Sequence, residues 1–569
     1  MWFHHEIFVN TLVTECVSNY EHGIFIDKQI LVDYDITLVH ELEKVQRNVY
    51  KANKVAIDAI NAEHLKRHME TCPEHRYKMI KKPTGVCPAK YAKNGRISKN
   101  YLKFTLRMRK YERDVLIGGP ITKSYAAFRS YRRKLLNHMK RYPIFNPQQV
   151  PEQFKDYIFN LNSTNQKVRL LYHGITLDVL EPWVNEKHPG AFVLPNGIEL
   201  SYNRKSGALP TGKSAVLAIQ GVSSAIDVFN KEIKKQQFTR SVLGKITPAS
   251  RIHLPVKVPG TVTTRISGDS GLNVQNIVKS PEFLKAWRIE DPTKTVIAEI
   301  DFAGIEPHVL TELSRDKTML KLYGPGAKAN DVYIFTAALM GGTLGQPFLD
   351  EGYDPENPTK EIIDICKKKH KKLRNAAKQI TLSDDYGSGI KKKFTSLRIL
   401  GYDFTYAQIK DAQERLNRVY QGKKDFGKKL QAEHERNGGY ILDALGMPIA
   451  IAPEKIKDSI NRCIQTSAHK ILMLFMYKVT RLFKENGIEY QWVIADFHDE
   501  IMPEIKISDV EKVKEIYAQA VTWLNDEYLH THVRLKAEPQ FAFSLAEIKV
   551  EGYIEEDDEL AEILEDLND

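Results

Sequence analysis

Apolar side chains recur at helical spacing from Ile36 to Ala62, with Leu38, Leu42, Val45 and Val49 on one face and neither Gly nor Pro interrupting them. This predicts a mainly helical start over residues 1–65. The pattern breaks over 66–145, which is punctuated by Pro73, Pro83, Gly85, Pro88, Gly95 and the Gly118-Gly119-Pro120 turn. Thr295–Ile300 is a short β-branched run that ends at Asp301 and gives way to a helical pattern, so it reads as a strand feeding a helix. Residues 361–395 are strongly basic and helical in pattern. Gln491–Ala495 and Ile501–Ile507 read as two short strands around Phe497-His498-Asp499-Glu500. Asp301 and Asp499 thus stand at two strand ends, a placement that suits a hard cation. They are 198 residues apart, and spacing alone does not bring them together. No internal repeat or long low-complexity tract is present.

The 569 residues leave room for several domains, and 42% hydrophobic with 27% charged residues is an ordinary globular composition. Five cysteines without paired spacing (Cys16, Cys72, Cys87, Cys366, Cys463) exclude a secreted disulfide scaffold. No apolar run approaches the roughly 18–20 residues that span a bilayer. MWFHHEIFVN has no basic n-region before an apolar stretch. An intracellular, cytoplasmic protein without a membrane partner is therefore expected, in the host cytoplasm if it is viral. The net charge of +11 is uneven. Lys66 to Arg141 holds 22 Lys and Arg against 4 Asp and Glu, while Glu551 to Asp569 holds 10 acids and no base. The basic segment interleaves aromatics (Tyr91, Tyr101, Phe104, Tyr111, Tyr125, Phe128, Tyr131), a mixture suited to phosphate neutralisation with base stacking. The same aromatics would equally serve as the small core of an insertion.

Four segments carry a more specific pattern. They are Thr264-Arg-Ile-Ser-Gly-Asp-Ser-Gly-Leu-Asn-Val-Gln-Asn-Ile277, then Asp301-Phe-Ala-Gly-Ile-Glu-Pro-His-Val-Leu-Thr-Glu-Leu-Ser-Arg-Asp316, then Arg374-Asn-Ala-Ala-Lys-Gln-Ile-Thr-Leu-Ser-Asp-Asp-Tyr-Gly387, and finally His498-Asp499-Glu500. In that order they resemble the family A DNA polymerases, the group of bacterial DNA polymerase I and several phage replicative enzymes. The first is similar to TGRLSS…NLQNI, the second to motif A, the third to motif B (R-x3-K-x7-YG), and the fourth to motif C. Asn461-Arg-Cys-Ile-Gln465 resembles the family's N-x3-Q, and Leu161–Gln166 and Ser206–Gly212 resemble its thumb segments. The resemblance runs from about residue 1 to about 550 but omits 66–145 and the acidic tail.

The resemblance implies an α+β right-hand fold with an antiparallel palm sheet and helical fingers and thumb. The thumb would be 1–65 with 146–254, the palm 255–309 with 457–550, and the fingers 310–456. It implies DNA-directed addition of deoxynucleotides to a primer 3′-hydroxyl, with primer-template DNA and dNTPs as partners. Two Mg²⁺ ions would be held by Asp301, Asp499 and the Phe302 carbonyl, the usual arrangement for this phosphoryl transfer. Arg374, Lys378, Leu382 and Tyr386 recur every four residues, each step advancing about 40° beyond a helical turn, so they share one broad face. The family assigns Arg374 and Lys378 to the nucleotide phosphates, with Lys378 also protonating pyrophosphate. Tyr386 falls at the templating base and Glu306 at the position that blocks a ribose 2′-hydroxyl. Arg265, Gln275, Asn276, Lys457, Asn461 and Gln465 occupy positions that contact primer and template, several in the minor groove, where shared acceptors allow reading without sequence preference. His498 would touch the primer end.

Departures are informative. Leu382 stands where the family usually has Phe or Tyr, which weakens stacking on the incoming sugar and predicts altered discrimination against nucleotides lacking the 3′-hydroxyl. His308 replaces an Arg, and Tyr333 replaces a His that helps hold phosphates. Asp384-Asp385 puts two acids where apolar residues are usual. No Asp-x-Glu exonuclease signature and no span of about 150–200 residues for a further domain precedes the thumb-like start. Proofreading is thus expected from a separate exonuclease chain, and a processivity factor is a further candidate partner. His68, Cys72, His75 and Cys87, near His64, form a candidate Zn²⁺ set that ranks below ordinary reduced thiols because a second close pair is missing. The acidic tail reads as a flexible interaction segment or a short solvated helix. The rivals are a single-subunit RNA polymerase, against which Glu306 and Gln275-Asn276 argue, and a non-catalytic DNA-binding processivity partner, against which the retained aspartates argue. A phage-type replicative role is the preferred setting.

Overall fold

A computed structural model describes residues 3–71, 88–90, 97–111, 120–147, 149–184, 189–220, 224–269, 272, 277–302, 304–327, 330–385, 388–497, 500–528, 533–553 and 557–568. The chain forms two compact units, residues 1–41 with 230–569, and residues 42–229.

The first unit is organised around strand β1 (Thr295–Phe302). Val296, Ile297, Ala298, Ile300 and Phe302 are all buried, so β1 is covered on both faces. A run of helices follows: α1 (Ile305–Ser314), α2 (Lys317–Tyr323), α3 (Val332–Met340), α4 (Lys371–Asp385), α5 (Ile390–Ile399), α6 (Tyr406–Val419) and α7 (Gln421–Asn437). Acidic caps set the starts of two of them. Asp316 Oδ1 accepts from the amides of Thr318 and Met319, and Asp331 Oδ1 from those of Tyr333 and Ile334. These helices share a core that includes Leu310, Phe335, Ile380, Leu416 and Ile464. The basic stretch 361–395 is divided among Lys360–Lys369, α4 and the start of α5, where the periodicity suggested one helical region.

Helix α8 (Ser459–Glu485) leads into the hairpin β2 (Tyr490–Phe497) and β3 (Glu500–Lys506), then α9 (Val510–Tyr528), β4 (Ala537–Ala542) and α10 (Asp558–Asn568). The strands form one antiparallel sheet in the order β2-β3-β1-β4. Both strands read from 490–507 are present. Phe302 stacks edge-on to Phe475 of α8, with centroids 4.9 Å apart, and the Tyr517 hydroxyl of α9 donates to the Ala298 carbonyl at 2.8 Å. The N-terminal segment joins this core through Ile7, Leu12, Cys16 and Leu31. There Trp492 Nε1 donates to buried Glu15 at 2.6 Å. The acidic tail is a docked helix: Leu564 is buried, and Asn568 exchanges hydrogen bonds with the Phe541 backbone at 2.8 and 2.9 Å.

In the second unit, Leu42, Val45 and Val49 are buried on the predicted helix face. The helical reading of 36–62 is met by Lys28–Ala52 and Lys54–Thr71, which break at Asn53. Leu135, Phe145, Val150, Phe154 and Ile158 form a small core against which Tyr131 packs edge-on, so at least one aromatic of the basic segment is structural. A three-stranded antiparallel sheet joins Asp178–Glu181, Ala191–Val193 and Glu199–Ser201. Among the described residues, no single helix is long and apolar enough to cross a membrane.

Candidate active site

Asp301 lies at the exposed end of an otherwise buried strand. Its register partners are Glu500 on β3 and Glu538 on β4. Glu500 closes the β2-β3 hairpin opposite Phe497, so the hairpin that carries the motif C sequence is the strand neighbour of Asp301. His498 and Asp499 themselves lie outside the described residues, as do Gln275, Asn276 and Tyr386. Among the described residues no group of three or more His, Cys, Asp or Glu has the geometry to hold a metal.

Sequence reading missed two groups beneath Asp301. Glu299, 4% exposed, sits two positions back on the same strand face. Burial, the hydrogen bond to Glu500 and the negative charge of Glu500 push the Glu299 carboxyl well above the ordinary glutamate value. Lys549 donates a short, charge-assisted hydrogen bond to Glu500. The only signal for Glu299 was an acid in an apolar run.

After Asp301 the chain turns through Gly304, whose φ of +72° favours glycine, and enters α1 at Ile305. That turn puts Glu306 in the first helical turn, where its carboxylate pairs with Arg265 Nη2. Arg265 Nε is buried and has no hydrogen-bond partner among the described residues. The neighbouring Thr264, at φ +66°, bonds the ring of buried His469 at 3.1 Å. His308 Nδ1 donates to the Gly304 carbonyl at 2.7 Å, so it fastens the turn and is not free for a ligand through that nitrogen. Burial also lowers its pKa, which favours the neutral ring.

On α4, Arg374 pairs with buried Asp331 through Nε at 2.9 Å and Nη2 at 2.8 Å. The second oxygen of this capping carboxylate thereby orients the cation. The Arg374 guanidinium lies 5.3 Å and the Lys378 amine 5.2 Å from the centre of the Tyr333 ring. No carboxylate among the described residues pairs with Lys378. The aromatic that replaces the usual His thus gathers both cations. Glu306, Tyr333, Leu382 and Asn461 line one cavity of about 140 Å³. Asn461 and Gln465, four residues apart, share a face of α8, and Lys457 is exposed in the turn before it.

Asp384 also has its explanation. It accepts from Lys393 Nζ at 2.7 Å, Lys423 Nζ at 2.9 Å and Gln413 Nε2 at 2.8 Å. Burial opposes its charge, but the two lysines prevail and hold the carboxyl down at about 2. A depressed acid adds stability that is present above its unfolded value and lost as pH falls through its folded one. The urea midpoint of the chain should therefore drop between pH 3.8 and about 2, and Asp384→Asn should remove that part of the drop. An identical acid profile in the variant would refute the assignment.

His68, Cys72, His75 and Cys87 lie outside the residues whose side chains are described. Nearby His64 uses Nε2 toward Arg169 at 3.4 Å, and zinc finds no support.

No family model matches the chain. It is 24% identical over 407 residues to a DNA polymerase I of Helicobacter pylori, which covers 69% of this chain and 38% of that protein. It is 26% identical over 222 residues to a DNA polymerase of Mycobacterium phage D29, covering 39% of this chain and 31% of the phage protein. The chain thus spans well under half the length of these curated relatives. A solved structure, the POL domain of Pol1 from M. smegmatis in complex with DNA primer-template and dNTP, aligns with 94% of this chain and 69% of its own at a TM-score of 0.52 and 14% identity. The fold is that of a right-hand polymerase domain, of α+β class.

Proposed function

We propose that this chain, a relative of the family A DNA polymerases, is a DNA-directed DNA polymerase that adds deoxynucleotides to a primer 3′-hydroxyl. The observation that carries the reading is the convergence of three motif residues from separate segments, Glu306, Leu382 and Asn461, together with Tyr333, on one cavity, with Arg374 and Lys378 gathered at Tyr333. The thumb, palm and fingers would follow the boundaries given from sequence. Phage-type replication is the favoured setting, supported by the similarity to the phage D29 polymerase.

Arg374 and Lys378 would hold the triphosphate, and Lys378, free of carboxylate partners among the described residues, would deliver the proton to the departing pyrophosphate. Leu382 would underlie the sugar, Glu306 would fill the space of a 2′-hydroxyl, and Tyr386 would meet the templating base. Arg265, Gln275, Asn276, Lys457, Asn461 and Gln465 would track the primer-template, with His498 at the primer end. Asp301, Asp499 and the Phe302 carbonyl are hard oxygen donors suited to Mg²⁺, and the exposed Asp301 at a rigid strand end supports the fit. When bound, two such ions would stabilise the attacking and leaving oxygens.

Primer extension on long single-stranded DNA, with dNTPs and separately with rNTPs, tests the reading. Extension with dNTPs alone is expected. Preferential rNTP use would favour the RNA polymerase rival, and no turnover in magnesium would favour a non-catalytic clamp. Because Leu135 and Phe145 of the basic segment belong to a folded core, charge removal is the cleaner test: changing exposed Arg132, Arg133 and Lys134 to Gln should reduce processivity and salt tolerance more than single-nucleotide insertion, since such bases contribute mainly phosphate neutralisation. Equal losses in both assays would refute that role.

A further inference from the structure

Asp384 and Asp385 end helix α4 with two acids, against the helix dipole, which favours cations in the last turn. The partners of Asp384 are costly too. Lys393 is only 2% exposed and Lys423 only 7%, and an ammonium taken from water is expensive unless paired. Each member is unfavourable alone, and their mutual pairing offsets the cost. Gln413 completes it, donating to Asp384 and accepting from Lys393. The network draws on α4, α5, α6 and α7.

Its base is rigid. The Lys423 amide donates to Asp316 Oδ2 at 3.2 Å, so the acid that caps α2 also holds the start of α7. A side chain at Gly422 would bring its Cβ within 2.7 Å of the Asp316 backbone, so the two elements are in close contact there. Lys423 also lines the cavity that contains Glu306, Tyr333 and Leu382. The network therefore touches the nucleotide cavity directly. At the other end of α4, Asp331 fixes Arg374. The helix that bears Arg374, Lys378 and Leu382 is thus fastened by one carboxylate at each end.

We propose that Asp384, gripped by Lys393, Lys423 and Gln413, is a positioning residue that fixes the C-terminal end of α4 and so sets the affinity for the incoming nucleotide. The inference rests on the polymerase reading above. Apolar residues of similar size could fill this space with equal or better stability, since buried ion pairs seldom out-stabilise a well-packed apolar replacement. What the charges add is one permitted geometry. Asp384 lies two residues from Leu382 on the same helix, so a small rotation at the clamp moves that cavity-lining position.

The test uses the 569-residue chain in single-nucleotide insertion, with melting temperature and primer-template Kd measured alongside. The triple variant D384L/K393M/K423M removes all three charges at similar volume. It is expected to melt near the wild type and to bind primer-template equally, while its KM for dNTP rises about tenfold with a smaller change in kcat. Wild-type KM in a folded triple variant overturns the proposal, because the network is then purely structural. Should the triple variant not fold, Asp384→Glu and Lys423→Arg keep the charges but change the reach. A raised KM at unchanged melting temperature in either supports the proposal, and unchanged KM in both overturns it. A wild-type chain that extends no primed template overturns the polymerase reading and this inference together, a result visible before any variant is compared.

Discussion

Asp301→Ala is expected to abolish primer extension, by at least about a thousandfold, because the charge stabilisation lost with a cation-holding carboxylate amounts to several kcal/mol. Binding of primer-template should survive. Asp301 is exposed at the end of β1, so truncation opens no cavity, and the residues that hold the strand in place, Ile300 and Phe302, remain buried beside it. The melting temperature of the variant should therefore match the wild type. Asp499→Ala is expected to behave likewise from its place in motif C. Gel-based extension with a labelled primer, alongside fluorescence anisotropy for binding, separates loss of chemistry from loss of DNA. Retained extension in either variant would sink the polymerase reading. Lost binding would mean that the carboxylate supports the DNA groove instead.

Asp301 and its strand were legible because a β-branched run ending in an acid is a local signal, and the helical face of 36–62 was legible for the same reason. The pairing of Asp301 with Glu500 was not, since register between residues 199 positions apart is fixed by tertiary packing. The residues that shape the site from behind were missed for a related reason. Asp331 drew no notice in the sequence, and only the fold brings its second oxygen to Arg374. Lys393 fell within a stretch read only as basic and helical, and Lys423 was not singled out, yet both are buried against one carboxylate. The single sequence signal for that network was a broken local rule, acids in the last turn of α4, and such violations are where compensation from elsewhere in the fold should be sought. The acidic tail was ambiguous because its apolar positions Leu560, Ile563, Leu564 and Leu567 fit a helix while its charge fits a solvated segment. The docking of Asn568 on Phe541 decides for the helix.

Glu306→Ala should relax the choice of sugar. The side chain stands in the first turn of α1, beside Tyr333 and Leu382 in the cavity wall, where it would crowd a 2′-hydroxyl. Overpacking of that kind costs about 1–3 kcal/mol, so the ratio of kcat/KM for dNTP to that for rNTP should fall about tenfold to a hundredfold on truncation. The same carboxylate pairs with Arg265, so the variant also removes that cation's carboxylate partner. Some loss of dNTP insertion is therefore expected with it, and the ratio rather than the absolute rate is the informative quantity. Glu306→Gln separates the two effects. It keeps the bulk and gives up the charge, and it should retain the discrimination while sharing the loss in rate. If Glu306→Gln accepts ribonucleotides as readily as Glu306→Ala, then the ion pair with Arg265, and not the volume of the side chain, holds the gate.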